Sequence, residues 1–236
     1  MVNYKKNNTK KFKPFEYPEV KQTFYDLFDT LFSESGRGAI LIATAHVEEH
    51  LTSLIVSVLP KTLSNKHKDK LFKYPGQLSS FSSKIELAYI FRLVNKNLYD
   101  SLNTLRKIRN DAAHTCLNFQ LQKLNKELKS IYELGPYFAN FIYEISTNAL
   151  LQHKVAAIKE VIENLDLTEQ EKKDIAVKIL TDENNIKTME EQVPFWELLF
   201  GVTFLCSLIT HSKYAICELT QDVLTLSDLL KNDKLL

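Results

Sequence analysis

Glycine and proline are scarce in this sequence, with five and six residues respectively among 236. Their combined share is less than half of that found in average soluble proteins. Sandwiches and barrels need turn residues at intervals of about 8–12 positions, so this composition argues strongly against an all-β fold. Helices joined by a small number of turns are the architecture that the composition favours.

Cysteine is also rare, and its three residues, Cys116, Cys206 and Cys217, show no Cys-x-x-Cys spacing. An odd number of cysteines without metal-ligand spacing is typical of buried, reduced thiols in a cytosolic protein. The N-terminus contains no signal-peptide core, because charge and proline interrupt the segment 12–15.

A long uninterrupted apolar run is missing as well. The most apolar window, residues 193–210, contains Pro194 and Glu197 and is therefore predicted to be a buried helix. We accordingly expect a soluble, cytoplasmic protein that does not span a membrane.

Charge is balanced overall, at +1, but it is unevenly distributed along the chain. Residues 1–120 have a net charge of +7, whereas residues 121–236 have a net charge of −6. A basic half is compatible with an anionic partner such as RNA, or simply with the acidic half of the same chain.

Apolar residues recur at the spacing of amphipathic helices along most of the chain. Helices are predicted at about residues 19–35, 38–59, 61–73, 82–93, 96–116, 120–133, 137–165, 169–181, 189–211 and 213–231. Asn95 is predicted to cap the helix that begins at Lys96, and Thr168 and Glu171 have the spacing of a capping box at another helix start. Breaks between helices are predicted at Asn184-Asn185 and near His211-Ser212. We expect an all-α helical bundle organised as a basic, flexible arm (1–17), a helical domain (18–120) and an acidic helical C-terminal extension packed on it (121–236).

The segment LRKIRNDAAH, residues 105–114, combines residue types suited to phosphodiester chemistry. On a helix, Arg106 and Asn110 are neighbours at i, i+4, as are Asn110 and His114, and Arg109 precedes Asn110. Leu105, Ile108 and Ala112 are predicted to face inward. Histidine can transfer a proton near neutral pH, and arginine can hold a phosphate and stabilise the charge that develops on it. The same residues could instead be structural, with the histidine and asparagine linking helices and the arginines solvated.

Several ordered blocks resemble the mannitol operon repressor family. They are GRGAILIATAHVEEHL (36–51), the Leu71-Phe72 stretch, and LSSFSSKIELAYIFRLVNKNLYDSLNTLRKIRNDAAH (78–114). This resemblance spans about a third of the chain and implies an all-helical fold. DNA binding is implied only poorly, because no helix-turn-helix with a basic recognition helix is evident.

Arg109, Asn110 and His114 also resemble the R-x4-6-H signature of HEPN domains, which are helical bundles that often dimerise and, when active, cleave RNA without metal. The resemblance implies that these three residues are catalytic in a ribonuclease of toxin or antiviral-defence type. Arg106, Lys107 and Arg37 are the candidate substrate-binding residues, although Arg37 could instead support a partner helix or contact a carboxylate.

A second pattern, His46-x-x-Glu49-His50, matches the H-x-x-E-H motif in which two histidines bind zinc and a glutamate activates water. Glu127 follows His50 at a separation similar to that of the third ligand in such metallopeptidases. Those enzymes are built from large α/β halves, whereas this sequence predicts no strands. The set is therefore kept as an alternative, and no metal or cofactor is expected.

Two functional hypotheses follow from the sequence. One is a metal-independent RNA endonuclease, with RNA as substrate and a homodimer as its assembly. The other is a non-catalytic regulator of mannitol-repressor type or a protein-interaction module, with a regulatory protein as partner and the same residues holding helices together.

Overall fold

A computed structural model describes residue 13 and residues 15–114, 119–163 and 165–221. This described part of the chain is helical throughout its regular elements and contains no strand, so the prediction of an all-α bundle is confirmed. The helices are α1 (Pro18–Leu31), α2 (Gly36–Val58), α3 (Asn65–Phe72), α4 (Phe81–Ile90), α5 (Lys96–His114), a 3-10 helix (Leu121–Leu124), α6 (Asn125–Ile131), α7 (Phe138–Glu163), α8 (Glu169–Thr181) and α9 (Glu183–Gln221).

Short polar side chains determine where several helices begin. Ser35 and Ser80 accept hydrogen bonds from backbone amides of the first turns of α2 and α4. The side chain of Asn95 accepts from the amide of Leu98 at 2.9 Å, which starts α5 as the sequence predicts. The predicted capping box is confirmed, because Thr168 and Glu171 satisfy each other's amides at the start of α8.

Helices α2 and α9 pack against each other at the centre of the bundle. Helix α2 contributes side chains such as Ile40 and Leu51, and α9 contributes Leu199 and Leu205, all fully buried. Helices α1, α7 and α6 pack on α9, whereas α4 and α5 pack on α2. One hydrophobic core therefore draws on residues from both the basic and the acidic half of the chain.

Helix α9 differs from the prediction, which divided this region into two helices at 189–211 and 213–231. The expected break at Asn184-Asn185 lies inside the first turn, because Asp182 caps the helix by accepting from the Asn185 amide at 3.2 Å. The expected break at His211-Ser212 is also absent, and within the continuous helix Ser212 Oγ donates to the carbonyl of Leu208, one turn earlier, at 3.1 Å. The helix is continuous through Pro194 as far as residue 221, and the predicted continuation to 231 lies outside the described residues.

Most of the predicted basic arm, residues 1–12 and 14, lies outside the described residues. Two residues of the proposed arm segment contact the bundle. Phe15 packs edge-on against Phe24 and Phe204, with ring centroids 5.9 and 5.6 Å away. Tyr17 shares a hydrogen bond of 2.7 Å with His211, so the chain is attached to α9 before α1 begins.

Within the described part of the chain, two helices are long and apolar enough to cross a membrane by length and composition alone, namely Gly36–Val58 and Glu183–Glu218. In the apolar window of the second helix, 78% of the residues are buried inside the fold, against 50% in the first. The segment predicted as a buried helix, residues 193–210, thus forms the core of α9.

Neither of the described cysteines is in a disulfide, and the prediction of a buried thiol is confirmed for Cys206. Cys206 is buried in α9 and Cys217 is half-buried, whereas Cys116 lies outside the description. Burial raises the pKa of the Cys206 thiol well above its usual range, so this residue is unreactive and acts as a small apolar side chain.

The contact between α6 and α9 is close and contains buried polar atoms. A Cβ atom on Gly201 would lie 1.9 Å from Tyr132 Cε1, so only glycine admits the tyrosine ring against α9. Tyr132 Oη and Glu197 Oε1 are buried and have no hydrogen-bond partner among the described residues. Burial raises the pKa of Glu197, and Lys129 opposes this shift only partly.

The Glu197→Gln variant is expected to be more stable than the parent protein at alkaline pH. Since the folded protein holds the Glu197 proton more tightly than the unfolded chain does, stability falls as the pH rises above the ordinary value of 4.5. Glutamine removes this loss, so the melting temperature should rise at about pH 8 and be nearly unchanged at about pH 4. Thermal unfolding by circular dichroism measures both values. The exposed Glu190→Gln change on the same helix is the control, and an equal response in that variant would contradict the account.

Candidate functional site

Helix α5 buries one face and leaves the other available for chemistry. Its apolar residues Leu105, Ile108 and Ala112 are buried, which confirms the predicted inward face. This face packs against α2, α4 and α6. The orientation of the helix is therefore fixed, and with it the direction of the polar residues on its other side.

The candidate catalytic residues lie on the last turns of α5. Arg109 and His114 are exposed and Asn110 is half-buried. The Arg109 guanidinium donates to Asn110 Oδ1 at 3.2 Å, so these two side chains are held together. Because Asn110 accepts this hydrogen bond through Oδ1, its side-chain nitrogen Nδ2 is the group that could donate to a phosphate or to an acceptor on His114.

Two of the candidate substrate-binding residues, Arg106 and Lys107, lie on α5 just before Arg109. Half-buried Arg106 donates to Asn103 Oδ1 at 3.2 Å, and Lys107 is exposed. Asn97, near the start of α5, donates to the carbonyl of Leu134, just past α6, at 3.3 Å, so α5 and α6 run in opposite directions.

The third candidate substrate-binding residue, Arg37, lies in the first turn of α2. A Cβ atom on Gly36 would lie 3.0 Å from Leu121 Cβ in the 3-10 helix, so the first turn of α2 packs beside it. Half-buried Arg37 follows directly. Arg37 therefore lies beside the 3-10 helix, on a different element from Arg106 and Lys107.

One of the proposed zinc ligands, His50, is part of the core. His50 is buried, and its Nε2 is 2.9 Å from Thr23 Oγ1 while its Nδ1 is 2.8 Å from Thr210 Oγ1. Burial lowers the pKa of His50 to about 4, although Glu19 opposes the shift, so the ring is neutral at physiological pH. Both ring nitrogens serve to join α1, α2 and α9.

The other members of that set do not complete a metal site. His46 and Glu49 line a cavity of about 250 Å³ between α1, α2 and α9, together with Glu19, Asp26 and Lys213. Glu127 is not among its lining residues and lies exposed on α6. Among the residues that the structure describes, no three histidine, cysteine, aspartate or glutamate side chains are grouped so as to hold a metal ion.

Sequence reasoning missed the contacts that join the start of α1 to the end of α9. Tyr17 stacks on Tyr214 with ring centroids 5.2 Å apart, and Glu19 accepts from Lys213 at 3.3 Å. The partners are about 194 residues apart in the sequence, so no local spacing relates them. Contacts between residues this far apart leave no signal in a single sequence.

No protein-family model matches the chain, and no curated protein or solved structure matches it either. The resemblance to the mannitol operon repressor and HEPN families accordingly stays a prediction from the residues quoted above.

Stability measurements are expected to distinguish the two histidines. His50→Ala should lower the free energy of unfolding by about 2–4 kcal/mol, because two hydrogen bonds are lost and both threonine hydroxyls stay buried. His114→Ala and Arg109→Ala should each shift the melting temperature by less than about 3 °C, because these side chains are exposed. Thermal unfolding at pH 7 provides the comparison.

The dependence on pH gives a second check. The unfolded chain protonates His50 near 6.5 whereas the folded protein does so near 4, so the parent loses stability as the pH falls through this interval. His50→Ala should show a smaller loss of stability over this pH interval.

The variants of α5 have their own contradicting outcome. If His114→Ala or Arg109→Ala fails to fold, these residues hold the bundle together and have no catalytic role.

Proposed function

We propose that this protein is a metal-independent RNA endonuclease of toxin or phage-defence type, with Arg109, Asn110 and His114 as its catalytic residues. The observation that supports this best is the placement of Arg109 and His114 on the solvent side of a helix whose other face is anchored in the core. The residues that the sequence assigns to chemistry are thus accessible to a polymer. The resemblance of this set to the HEPN signature points to the same activity.

The chemistry is transfer of the phosphoryl group to the adjacent ribose 2′-oxygen. The bond from the 2′-oxygen to phosphorus forms and the bond to the 5′-oxygen breaks, which leaves a 2′,3′-cyclic phosphate and a 5′-hydroxyl end. His114 removes the 2′-hydroxyl proton or delivers a proton to the leaving oxygen. Arg109 stabilises the charge on the phosphorane, and Asn110 positions the phosphate or the His114 ring.

Arg37, Arg106 and Lys107 bind the neighbouring phosphates in this proposal. Each contact with a phosphate releases counterions, so RNA binding should weaken as the salt concentration rises. A homodimer that brings two α5 helices together would supply a second set of the same groups to one cleft. A cytoplasmic location, where RNA is available, belongs to the same proposal.

The purified full-length chain is expected to cleave single-stranded RNA in the presence of EDTA. His114→Ala should lower the rate at least about 100-fold, which is the lower range for loss of a general acid or base. Arg109→Ala should lower it about 100- to 1,000-fold through loss of charge stabilisation. Gel electrophoresis of end-labelled RNA measures the rate, and mass spectrometry identifies the cyclic phosphate.

Two controls make the result specific. His67→Ala removes an exposed histidine on α3 and should leave cleavage unchanged. RNA with 2′-O-methyl groups should resist cleavage because its nucleophile is blocked. Cleavage that persists in His114→Ala would overturn the proposal, and absence of cleavage across varied RNAs would favour the regulator or interaction module.

A further inference from the structure

Helices α7, α8 and α9 form a tip whose apolar residues are incompletely covered. Helix α8 has no buried residue, although its sequence carries apolar side chains at helical spacing. Val161 on α7 is 69% exposed and Val177 on α8 is 58% exposed. Leu165 and Ile186 at the same tip are exposed as well. An amphipathic helix normally buries its apolar face against another element, and among the described residues this tip has no element that covers it.

A groove runs between the three helices. Its volume is about 250 Å³, and its lining is predominantly apolar, with Ile158 and Val161 from α7, Ile179 and Leu180 from α8, and Met189 from α9. The polar residues of the lining are Lys154, Asn185 and Thr188. Sites for small molecules usually measure about 300–1,000 Å³ and carry several convergent polar groups. This groove is smaller and offers few such groups, so it is suited to side chains inserted from a neighbouring helix.

The charge around the groove indicates which helix would fit. Residues 154–191 contain ten carboxylates and six lysines, a net charge of −4. Exposed Ile186 has three acidic side chains within one helical turn, namely those of Asp182, Glu183 and Glu190. Complementary charges beside an apolar stripe determine which partner a groove accepts.

We propose that the groove between α7, α8 and α9 binds a basic amphipathic helix of a partner protein. The apolar stripe of that helix inserts into the groove against Val161 and Met189. Lysine or arginine residues beside the stripe lie against the acidic rim around Ile186. Binding would complete the packing of the tip as a fourth helix. This surface is built from residues other than those assigned to catalysis, so the inference does not depend on the proposed nuclease.

A synthetic 18-residue peptide of leucine and lysine in amphipathic helical order is the probe. It is expected to bind the full-length chain in isothermal titration calorimetry, with affinity that decreases as salt rises. Methyl resonances of Ile158, Ile179 and Met189 should shift on binding. A peptide of the same pattern with glutamate in place of lysine should bind at least about tenfold more weakly.

Two matched variants locate the binding surface. Val161→Asp places a charge in the groove and should weaken the lysine peptide at least about tenfold. Val177→Asp makes the same change at an exposed valine of the same tip outside the groove lining, and should have a much smaller effect. Both positions are exposed, so both variants are expected to fold, and circular dichroism verifies this.

Several outcomes would overturn the proposal. Equal binding of the lysine and glutamate peptides would remove the charge argument, and equal binding by Val161→Asp and the parent would place the peptide elsewhere. Absence of peptide binding would contradict the groove as a docking site for a basic helix. Concentration-dependent dimers in light scattering that Val161→Asp abolishes would identify a second copy as the occupant instead.

Discussion

The contact between α2 and α9 organises the bundle, because most of the other helices are positioned by packing on one of these two. The contact is largely apolar, and His50 adds a polar link by bonding to Thr210 across it and to Thr23 of α1. A buried neutral histidine with both nitrogens satisfied costs little in desolvation and restricts the relative positions of three helices. The register of α1, α2 and α9 is therefore specified by shape and by hydrogen bonds together.

The residues that stabilise the protein are therefore separate from those proposed to be catalytic. Helix α5 rests on α2 through its apolar face, and its polar face is left with Arg109, Asn110 and His114 near the helix end. In the proposed nuclease, removing these side chains is expected to affect activity more than folding. The tip of α7, α8 and α9 lies beyond the central contact and has fewer buried residues, so it is the region where a partner could add most to stability.

The helical fold could be predicted because its signals are local. Apolar periodicity and the caps at Asn95 and Thr168 act within one or two turns, and the corresponding helices begin where the sequence predicts. The continuity of α9 could not be predicted in this way. His211 and Ser212 are compatible with either a break or a helix, and contact with Tyr17 about 194 residues away stabilises the helix.

In the candidate site, too, features set by local spacing could be predicted, whereas features that depend on residues far apart in the sequence could not. The inward face of α5 follows from periodicity and is confirmed at Leu105, Ile108 and Ala112. A His-x-x-Glu-His spacing looks identical whether the second histidine binds metal or fills the core, and the threonines that decide the role of His50 are 27 and 160 residues away. Similarly, the exposed polar face of a helix shows the same residue pattern whether it is catalytic or simply solvated. The sequence therefore supports a catalytic role for His114 as a proposal but does not establish it.

Native-state amide hydrogen exchange tests the central position of the α2–α9 contact most directly. Amides in residues 39–55 and 195–210 should exchange slowest, with opening free energies equal to that of global unfolding. Amides of α8 should exchange by local opening at lower free energy, because this helix has no buried residue. If the central turns of α9 exchanged as readily as α8, or if α5 were protected more strongly than α2, the α2–α9 contact would not be the one on which the fold depends.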